Sequence, residues 1–222
     1  MNWSKHSGGR RGYHHGNLRE ALIEAALRLI GEKGPGGFTV AEAARAAGVS
    51  PAAPYRHFRD GQDLLADVAV RGFERFAVAL RGAWDEGRPD PSTAFERLGR
   101  AYLAFARDEP AYYAAMFEAG VPIAVYPALA RAGDDAFAVL REAAETLCAG
   151  LPADLPRGKR PPPLMVALHV WSLSHGIASL FGRGDEARRA LPMSPEELLE
   201  AGVLVYLQGL GLSRAGRPDK SA

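Results

Sequence analysis

The sequence is poor in cysteine and in long apolar runs, and each shortage excludes a class of protein. Cys148 is the single cysteine among 222 residues, so an intramolecular disulfide cannot form. No CxxC pair or Cys/His cluster predicts structural zinc, and we expect a reducing, cytoplasmic setting. The apolar stretch 198–212 is interrupted by Glu200 and Gln208 and is too short to span a bilayer. We therefore expect no membrane partner.

Sequence motifs of catalysis are also missing. We find no Gly-rich phosphate loop, no nucleophile elbow, no HExxH pair and no distinctive pair of carboxylates. His6, His14 and His15 could chelate a transition metal, but a flexible basic arm lacks the fixed geometry that a metal site needs. We expect no enzyme activity, no cofactor and no metal.

The net charge is close to zero, yet the charges are unevenly placed. The chain has 27 Lys and Arg against 26 Asp and Glu, a formal charge of +1. Residues 1–60 hold nine of the basic residues and five of the acids, so their balance is +4, and the rest of the chain balances to −3. A basic amino-terminal region favours a polyanionic partner. Residues 1–11 lack an apolar segment, which argues against a secretory signal.

Apolar spacing predicts an all-α chain of about nine helices, without alternating strand patterns. Asn17 caps a first helix, and its apolar face ends before the breaker at Gly34. Thr39 and Glu42 form a capping box for a short second helix, and Ser50 with Pro51 begins an equally short third. Further helices are predicted over 62–86, 92–107, 110–119, 122–149, 163–183 and 194–212.

Residues 39–58 have the layout of a helix-turn-helix. The small Ala43 and Ala47 would let two short helices cross closely, and Gly48 would form the turn between them. We expect Tyr55 and Phe58 to pack back onto the first helix. An ordinary helical hairpin shares these features, but the basic arm before the unit and the basic residues in its second half favour DNA binding.

Three short motifs in this region resemble the TetR family of bacterial transcription regulators. They are Gly36-Gly37-Phe38-Thr39-Val40, the stretch from Val40 to Ser50, and Tyr55-Arg56-His57-Phe58 followed by Asp63-Leu64-Leu65. The resemblance covers roughly residues 14–66. Trp171-Ser-Leu-Ser-His175-Gly176 is similar to a Trp-x-x-x-His-Gly signature of one subgroup. The sequence departs from the family pattern at two places. Ala52-Ala53-Pro54 replaces the Gly-Thr/Ser-Leu/Ile that is common before the Tyr, and Arg59-Asp60-Gly61 replaces the Ser-Lys that often follows the Phe.

The resemblance implies a homodimeric repressor that leaves a double-stranded DNA operator when a small-molecule effector binds. Its domains would be a basic arm (1–16), a helix-turn-helix domain (17–61), a ligand-binding and dimerisation domain (62–212) and a tail (213–222). Contacts to phosphates, base edges and the minor groove are predicted for these DNA-binding residues: Arg10, Arg11, Thr39, Arg45, Ser50, Pro51, Ala52, Tyr55, Arg56, His57 and Arg59.

The carboxy-terminal part supplies candidates for an effector cavity and for a dimer interface. An apolar cavity binds hydrophobic or amphipathic molecules, although a plain core would use the same side chains. The predicted ligand-binding residues are Trp84, Phe95, Tyr102, Phe105, Tyr113, Met116, Phe117, Phe137, Trp171 and His175. Glu118, Arg107 and His169 could anchor a charged head group. The predicted dimerisation residues, which could instead pack within one subunit, are Leu173, Ile177, Leu180, Phe181, Val203, Tyr206, Leu207 and Leu210.

Two alternatives stay open at this point. One is a DNA-binding protein without a small-molecule inducer. The other is a helical interaction scaffold, for which Pro54 and the missing Lys are the hints.

Overall fold

The computed structural model describes residues 18–151, 160–181 and 192–210, and these ranges contain eight α-helices and no strand. The predicted arm with Arg10 and Arg11, the Asn17 cap, most of the loop between the sixth and seventh helices, and the tail lie outside the described residues. The helices are α1 (Leu18–Lys33), α2 (Val40–Ala46), α3 (Gly61–Trp84), α4 (Pro91–Asp108), α5 (Pro110–Phe117), α6 (Pro127–Ala149), α7 (Pro163–Phe181) and α8 (Pro195–Gly209).

The first two helices and the start of α3 form a small amino-terminal head. The apolar face of α1 is buried as its spacing predicts, with Leu22 and Ala26 fully enclosed. Ala43 of α2 and Phe58 join the same core. Gly48 ends α2 with a φ of 72°, a left-handed conformation that favours glycine.

The third helix of the head differs from the prediction. In place of an α-helix that begins at Ser50 and Pro51, the chain makes one 3-10 turn over Ala53–Arg56. Pro54 has no N–H to donate to the Ser50 carbonyl, so an α-helical bond is missing at the centre of the segment. The amides of Ala53 and His57 instead donate to Ser50 and Pro54, three residues earlier.

Tyr55 is a second correction within this segment. We expected its ring to pack on α1, but the side chain is 60% exposed. The 3-10 turn places Pro54 inside instead, where it is fully buried, while Phe58 is 3% exposed as predicted. Pro54 therefore occupies the core position that the sequence reading gave to Tyr55.

Helix α3 runs without interruption from the head into the carboxy-terminal bundle. Asp60 caps its first turn, because the Asp60 carboxylate accepts a hydrogen bond of 2.9 Å from the Asp63 amide. Further along, α3 packs against α4, α5 and α6. Gly72 permits the close approach of α5, since a Cβ there would lie 2.7 Å from the Met116 sulfur.

The bundle is completed by α4 to α8. The sixth helix begins at Pro127 and not at the predicted Pro122. Tyr126 precedes a proline, and the proline ring disfavours helical backbone at the residue before it. A 3-10 turn at Ile123–Val125 fills the difference. Helix α7, which the sequence analysis did not consider in this respect, is the one described helix that is long and apolar enough to cross a membrane by length and composition. Core helices pass the same test, and α7 packs here on α4, α6 and α8.

Candidate nucleic-acid interface and internal cavity

The start of α2 is held by a network of three side chains. Thr39 accepts a bond from the Glu42 amide at 3.2 Å and donates its hydroxyl hydrogen and its own amide to the Glu42 carboxylate. Lys33 of α1 lies 2.8 Å from the same carboxylate. The hydrogen bond from Lys33, with those from Thr39, lowers the pKa of Glu42 to about 2.

This network gives Thr39 a structural part besides its predicted contact with DNA. A phosphate oxygen is an acceptor, so it needs a donor from the protein. Both donors of Thr39, the hydroxyl and the amide, bind Glu42 here. Thr39 therefore helps to fix α2, and its contact with a phosphate stays a prediction.

The other predicted DNA-binding residues within the described ranges are all exposed. Arg45 lies on α2, and the rest follow on the segment that leads into α3. Neither Arg45 nor Arg56 takes part in an ion pair within the described chain, so both guanidinium groups are available to an anionic partner. The exposed residues of this surface, which we call the reading surface, are Arg45, Ser50, Pro51, Ala52, Tyr55, Arg56, His57 and Arg59.

Arg59 differs from Arg45 and Arg56 because its guanidinium already forms an ion pair. Its backbone amide and its guanidinium donate to the Asp63 carboxylate, at 3.0 Å and 3.4 Å. The bond from the Arg59 amide lowers the pKa of Asp63, and the guanidinium lowers it further. The guanidinium also lies 5.8 Å from the ring centre of Tyr126, just before α6. Arg59 thus joins the head to the bundle.

A largely apolar cavity of about 340 Å³ lies inside the bundle. Its wall is formed by α3, α4, α5, α6 and α7, with Phe73 and Phe76 from α3. Ile123 and Leu168 also contribute to the lining, and their side chains are 50% and 40% exposed, so the cavity opens to solvent there. The polar side chains of the lining are Tyr102, Ser174, Asp134 and the indole of Trp171.

The predicted ligand-binding residues divide into two groups. Five line the cavity, and the other five are not part of its lining. The lining group is Tyr102, Met116, Phe117, Phe137 and Trp171. The other group is Trp84, Phe95, Phe105, Tyr113 and His175; the first four of these are buried core residues.

The suggested anchors for a charged head group also lie elsewhere. Arg107 binds Asp108 and Glu196, and His169 lies 3.1 Å from the Tyr206 hydroxyl. Neither of them, nor Glu118, is part of the lining. The sequence reading missed Asp134, whose position two residues before the buried Ala136 on α6 gave no separate signal.

His175 organises a polar cluster next to the cavity. Its Nδ1 lies 2.9 Å from the hydroxyl groups of both Tyr102 and Tyr113. The Tyr113 hydroxyl is also 3.2 Å from Ser179. Burial lowers the pKa of His175, although Glu118 opposes the shift. A neutral imidazole nitrogen can accept one phenolic hydrogen, so His175 links the Tyr102 hydroxyl of the cavity wall with Tyr113 behind it.

The predicted dimerisation residues lie on α7, on α8 and just beyond α8, and three of them are buried within the subunit. Ile177, Val203 and Leu207 are each less than 5% exposed. Leu173 reaches α8, where a Cβ on Gly202 would lie 2.9 Å from it. Phe181, Tyr206 and Leu210 are half-buried, and Leu180 is 60% exposed. The outward side of these helices is apolar at positions the sequence reading did not select: Leu164, Met165, Leu168, Leu204 and Val205.

The fold and these sites define an all-α protein with a helix-turn-helix head and a carboxy-terminal bundle that encloses a cavity. Two family descriptions match consecutive parts of the chain. Residues 22–68 match the bacterial regulatory proteins of the tetR family, and residues 95–206 match the tetracyclin repressor-like carboxy-terminal domain. The chain belongs to the TetR family of DNA-binding transcription regulators, whose members are not enzymes.

Curated relatives match parts of the chain. An uncharacterised helix-turn-helix transcriptional regulator of Bacillus subtilis, YobS, is 28% identical over 100 residues, which are 45% of this chain and 51% of that protein. The regulator BetI of Rhizobium meliloti is 49% identical over 47 residues, which are 21% of this chain and 23% of BetI. The chain thus matches about half of the first relative and about a quarter of the second.

Solved structures match over most of the chain. A protein of unknown function from Rhodococcus sp. RHA1 has a TM-score of 0.70 at 29% identity, covering 90% of this chain and 98% of that one. The TetR-family regulator PfmR of Thermus thermophilus has a TM-score of 0.58 at 22% identity, with 85% and 98% covered. The fatty acid degradation regulator FadR of Bacillus halodurans has a TM-score of 0.63 at 15% identity, with 82% and 90% covered. The last two likenesses concern the fold alone.

Proposed function

We propose that this chain is a cytoplasmic, homodimeric repressor that a small apolar or amphipathic effector releases from its DNA operator. The proposal rests above all on one juxtaposition. Helix α3 begins beside the reading surface and then supplies Phe73 and Phe76 to the cavity wall. The same rigid element therefore borders both proposed binding sites. We also propose membership of the Trp-x-x-x-His-Gly subgroup, since Trp171 lines the cavity and His175 holds Tyr102.

DNA binding would use the reading surface in the major groove. Arg56 and Arg45 are free to bind guanine edges or phosphates, and the Tyr55 hydroxyl and the His57 ring add further donors. Most of the reading surface lies on residues 50–59, which we call the reading segment. Its helical part is one 3-10 turn, so few side chains can reach the base edges of one half-site. A second subunit would supply the second half-site, as is usual for helix-turn-helix proteins.

Dimerisation would use the outward side of α7 and α8. These helices pack antiparallel, because His169 contacts Tyr206 and Leu173 contacts Gly202. Leu168, Leu204 and Val205 are between 40% and 69% exposed on this pair. Two such pairs can form a four-helix interface that buries these side chains.

Release would follow from the coupling between the cavity and the head. A ligand that enters past Ile123 pushes on the short segment that ends at Tyr126, whose ring contacts Arg59. It also pushes on α3 through Phe73. Movement of either element shifts the head relative to the bundle and changes the distance between the two reading surfaces of the dimer. Effector and operator then weaken each other's binding by the same factor.

The test begins with selection of a preferred operator from random duplexes by the purified protein. Operator affinity is then measured at several salt concentrations, with and without a compound shown by calorimetry to bind the cavity. We expect binding to the selected operator to be tighter than to scrambled DNA, and saturating compound to weaken it at least tenfold. Equal operator affinity with and without the compound would identify a DNA-binding protein without an inducer. Binding without preference among duplexes would likewise indicate a DNA-binding protein without an inducer, and no binding to any duplex would favour a scaffold.

A further inference from the structure

The charge of the cavity lining points to one class of effector. Among the lining residues, Asp134 is the single Asp, Glu, Lys, Arg or His, and the rest are apolar, aromatic or neutral polar. Within the described part of the chain, a ligand that fills this space therefore meets one fixed negative charge and no positive one. We propose that the cavity selects lipophilic cations over lipophilic anions, with Asp134 as the counter-ion. This inference rests on the proposed effector function and names the chemical class of the effector.

Asp134 is free to serve as a counter-ion. It is exposed at the rim of the cavity on α6, and no ion pair or hydrogen bond within the described chain involves it. An incoming cation would thus gain a carboxylate without breaking an existing pair, whereas an anion would be repelled. Arg131 lies one turn earlier on α6 and forms no ion pair with Asp134 in the described chain.

The aromatic lining adds to this preference. Phe73, Phe117, Phe137 and Trp171 present rings to the cavity. Ring faces carry partial negative charge and attract a desolvated cation. Phe117 lies edge-on to Phe73, and Phe137 edge-on to Trp171, with ring centres 5.5 Å and 5.7 Å apart. A bulky organic cation can contact several of these rings, but a small hydrated ion cannot fill the apolar space.

The polar cluster behind the lining adds no lysine or arginine within the described chain. His175 contacts Tyr102 from outside the cavity, and burial lowers the pKa of its imidazole. Glu118 acts on the pKa of His175 in the opposite sense. The described side chains of this cluster therefore offer no Lys or Arg that could pair with a carboxylate or sulfate.

Tetraphenylphosphonium and tetraphenylborate provide a matched test, because they have nearly the same size and shape but opposite charge. Triphenylmethanol serves as an uncharged probe. Binding of each to the full chain is measured by titration calorimetry at low and at physiological salt. We expect the phosphonium to bind at least about tenfold more tightly than the borate, as one partly screened charge pair predicts.

Three variants show where the selectivity originates. Asp134→Asn should reduce the affinity for the phosphonium about tenfold and leave the affinity for triphenylmethanol within about twofold. Asp135→Asn is the control, because the adjacent residue is exposed and carries the same charge but does not line the cavity. Gly133→Leu fills the cavity, since a Cβ at this position lies 3.9 Å from Phe73, and it should weaken binding of all three probes.

The outcomes separate the inference from the function on which it rests. A preference for the phosphonium that Asp134→Asn removes and Asp135→Asn keeps supports the inference. Equal or tighter binding of tetraphenylborate overturns the inference and leaves an effector cavity in place. Phosphonium binding that Gly133→Leu does not change also overturns it, because the cation then binds elsewhere. If none of the three probes binds, the inference is overturned, whereas the proposed effector function is judged separately by the operator-release test.

Discussion

Arg56→Ala tests whether the reading surface recognises bases. The Arg56 guanidinium is exposed and has no ion-pair partner among the described residues, whereas that of Arg59, three residues later, is bound to Asp63. A free guanidinium can make two parallel hydrogen bonds to one guanine without first losing a partner. We therefore expect Arg56→Ala to weaken binding to the preferred operator much more than Arg59→Ala does.

The expected loss of operator affinity depends on how many copies of Arg56 contact the operator. One bidentate contact to guanine contributes about 1–3 kcal/mol of discrimination. A dimer on a two-part operator would make this contact twice, so the loss is about 2–6 kcal/mol, or roughly 30-fold to 10⁴-fold in affinity. For Arg59→Ala we expect a loss of no more than about fivefold, because an exposed charge that is already paired contributes little.

The assay is fluorescence anisotropy with the selected operator and with scrambled DNA, across a range of salt. Loss of a base contact lowers affinity for the operator more than for scrambled DNA. Loss of a phosphate contact lowers both equally and reduces the salt slope by about 0.9 for each contact. Arg81→Ala on α3 is the control, because it removes an equal charge from an exposed site outside the reading surface.

Two results would refute this reasoning. If Arg59→Ala weakens operator binding as much as Arg56→Ala, the pairing with Asp63 does not limit Arg59. If Arg56→Ala weakens operator and scrambled DNA by the same factor, Arg56 contacts the phosphate backbone and does not read bases.

Three further predictions concern stability and assembly. Phe58→Ala should lower the free energy of unfolding by about 3–5 kcal/mol in urea titration, since its ring is buried in the head; a loss under about 1 kcal/mol would contradict the packing. Lys33 and Thr39 hold the pKa of Glu42 below its ordinary value, so the stability that its charge contributes is present above about pH 4.5 and lost towards pH 2. Glu42→Gln should therefore reduce the dependence of the melting temperature on pH between these values. An unchanged pH dependence would show that the Glu42 charge does not contribute to stability. Val205→Glu should shift the protein from dimer to monomer in light scattering, whereas an unchanged mass would place the interface elsewhere.

The positions of the long helices could be predicted because their signals are local. Proline at the first turn and Asp or Ser at the cap mark the starts of α4 and α8, and the capping box of Thr39 and Glu42 is present as predicted. Burial of Leu22 follows from helical spacing alone. These features depend on residues three or four positions apart, which a sequence displays directly.

The reading segment and the cavity depend on contacts that sequence spacing does not display. Tyr55 and Pro54 are neighbours, and the backbone of one 3-10 turn decides which of them faces the core. Similarly, Phe95 and Phe137 are both aromatic residues on amphipathic helices, but only Phe137 lines the cavity. That difference depends on the rotation of α4 and α6 about their axes. A pattern of apolar residues identifies the inner side of a helix without showing where packing leaves a space.

The buried proline of the reading segment has a consequence for the entropy of DNA binding. Pro54 fixes its own φ, Phe58 anchors the segment in the core, and Asp60 caps the helix that follows. The backbone that would enter the groove is thus ordered before DNA arrives, and association has to restrict side chains alone. The exposed positions Tyr55 and Arg56 can then be exchanged without unfolding the head, which makes this segment a suitable scaffold for selecting altered operator preference.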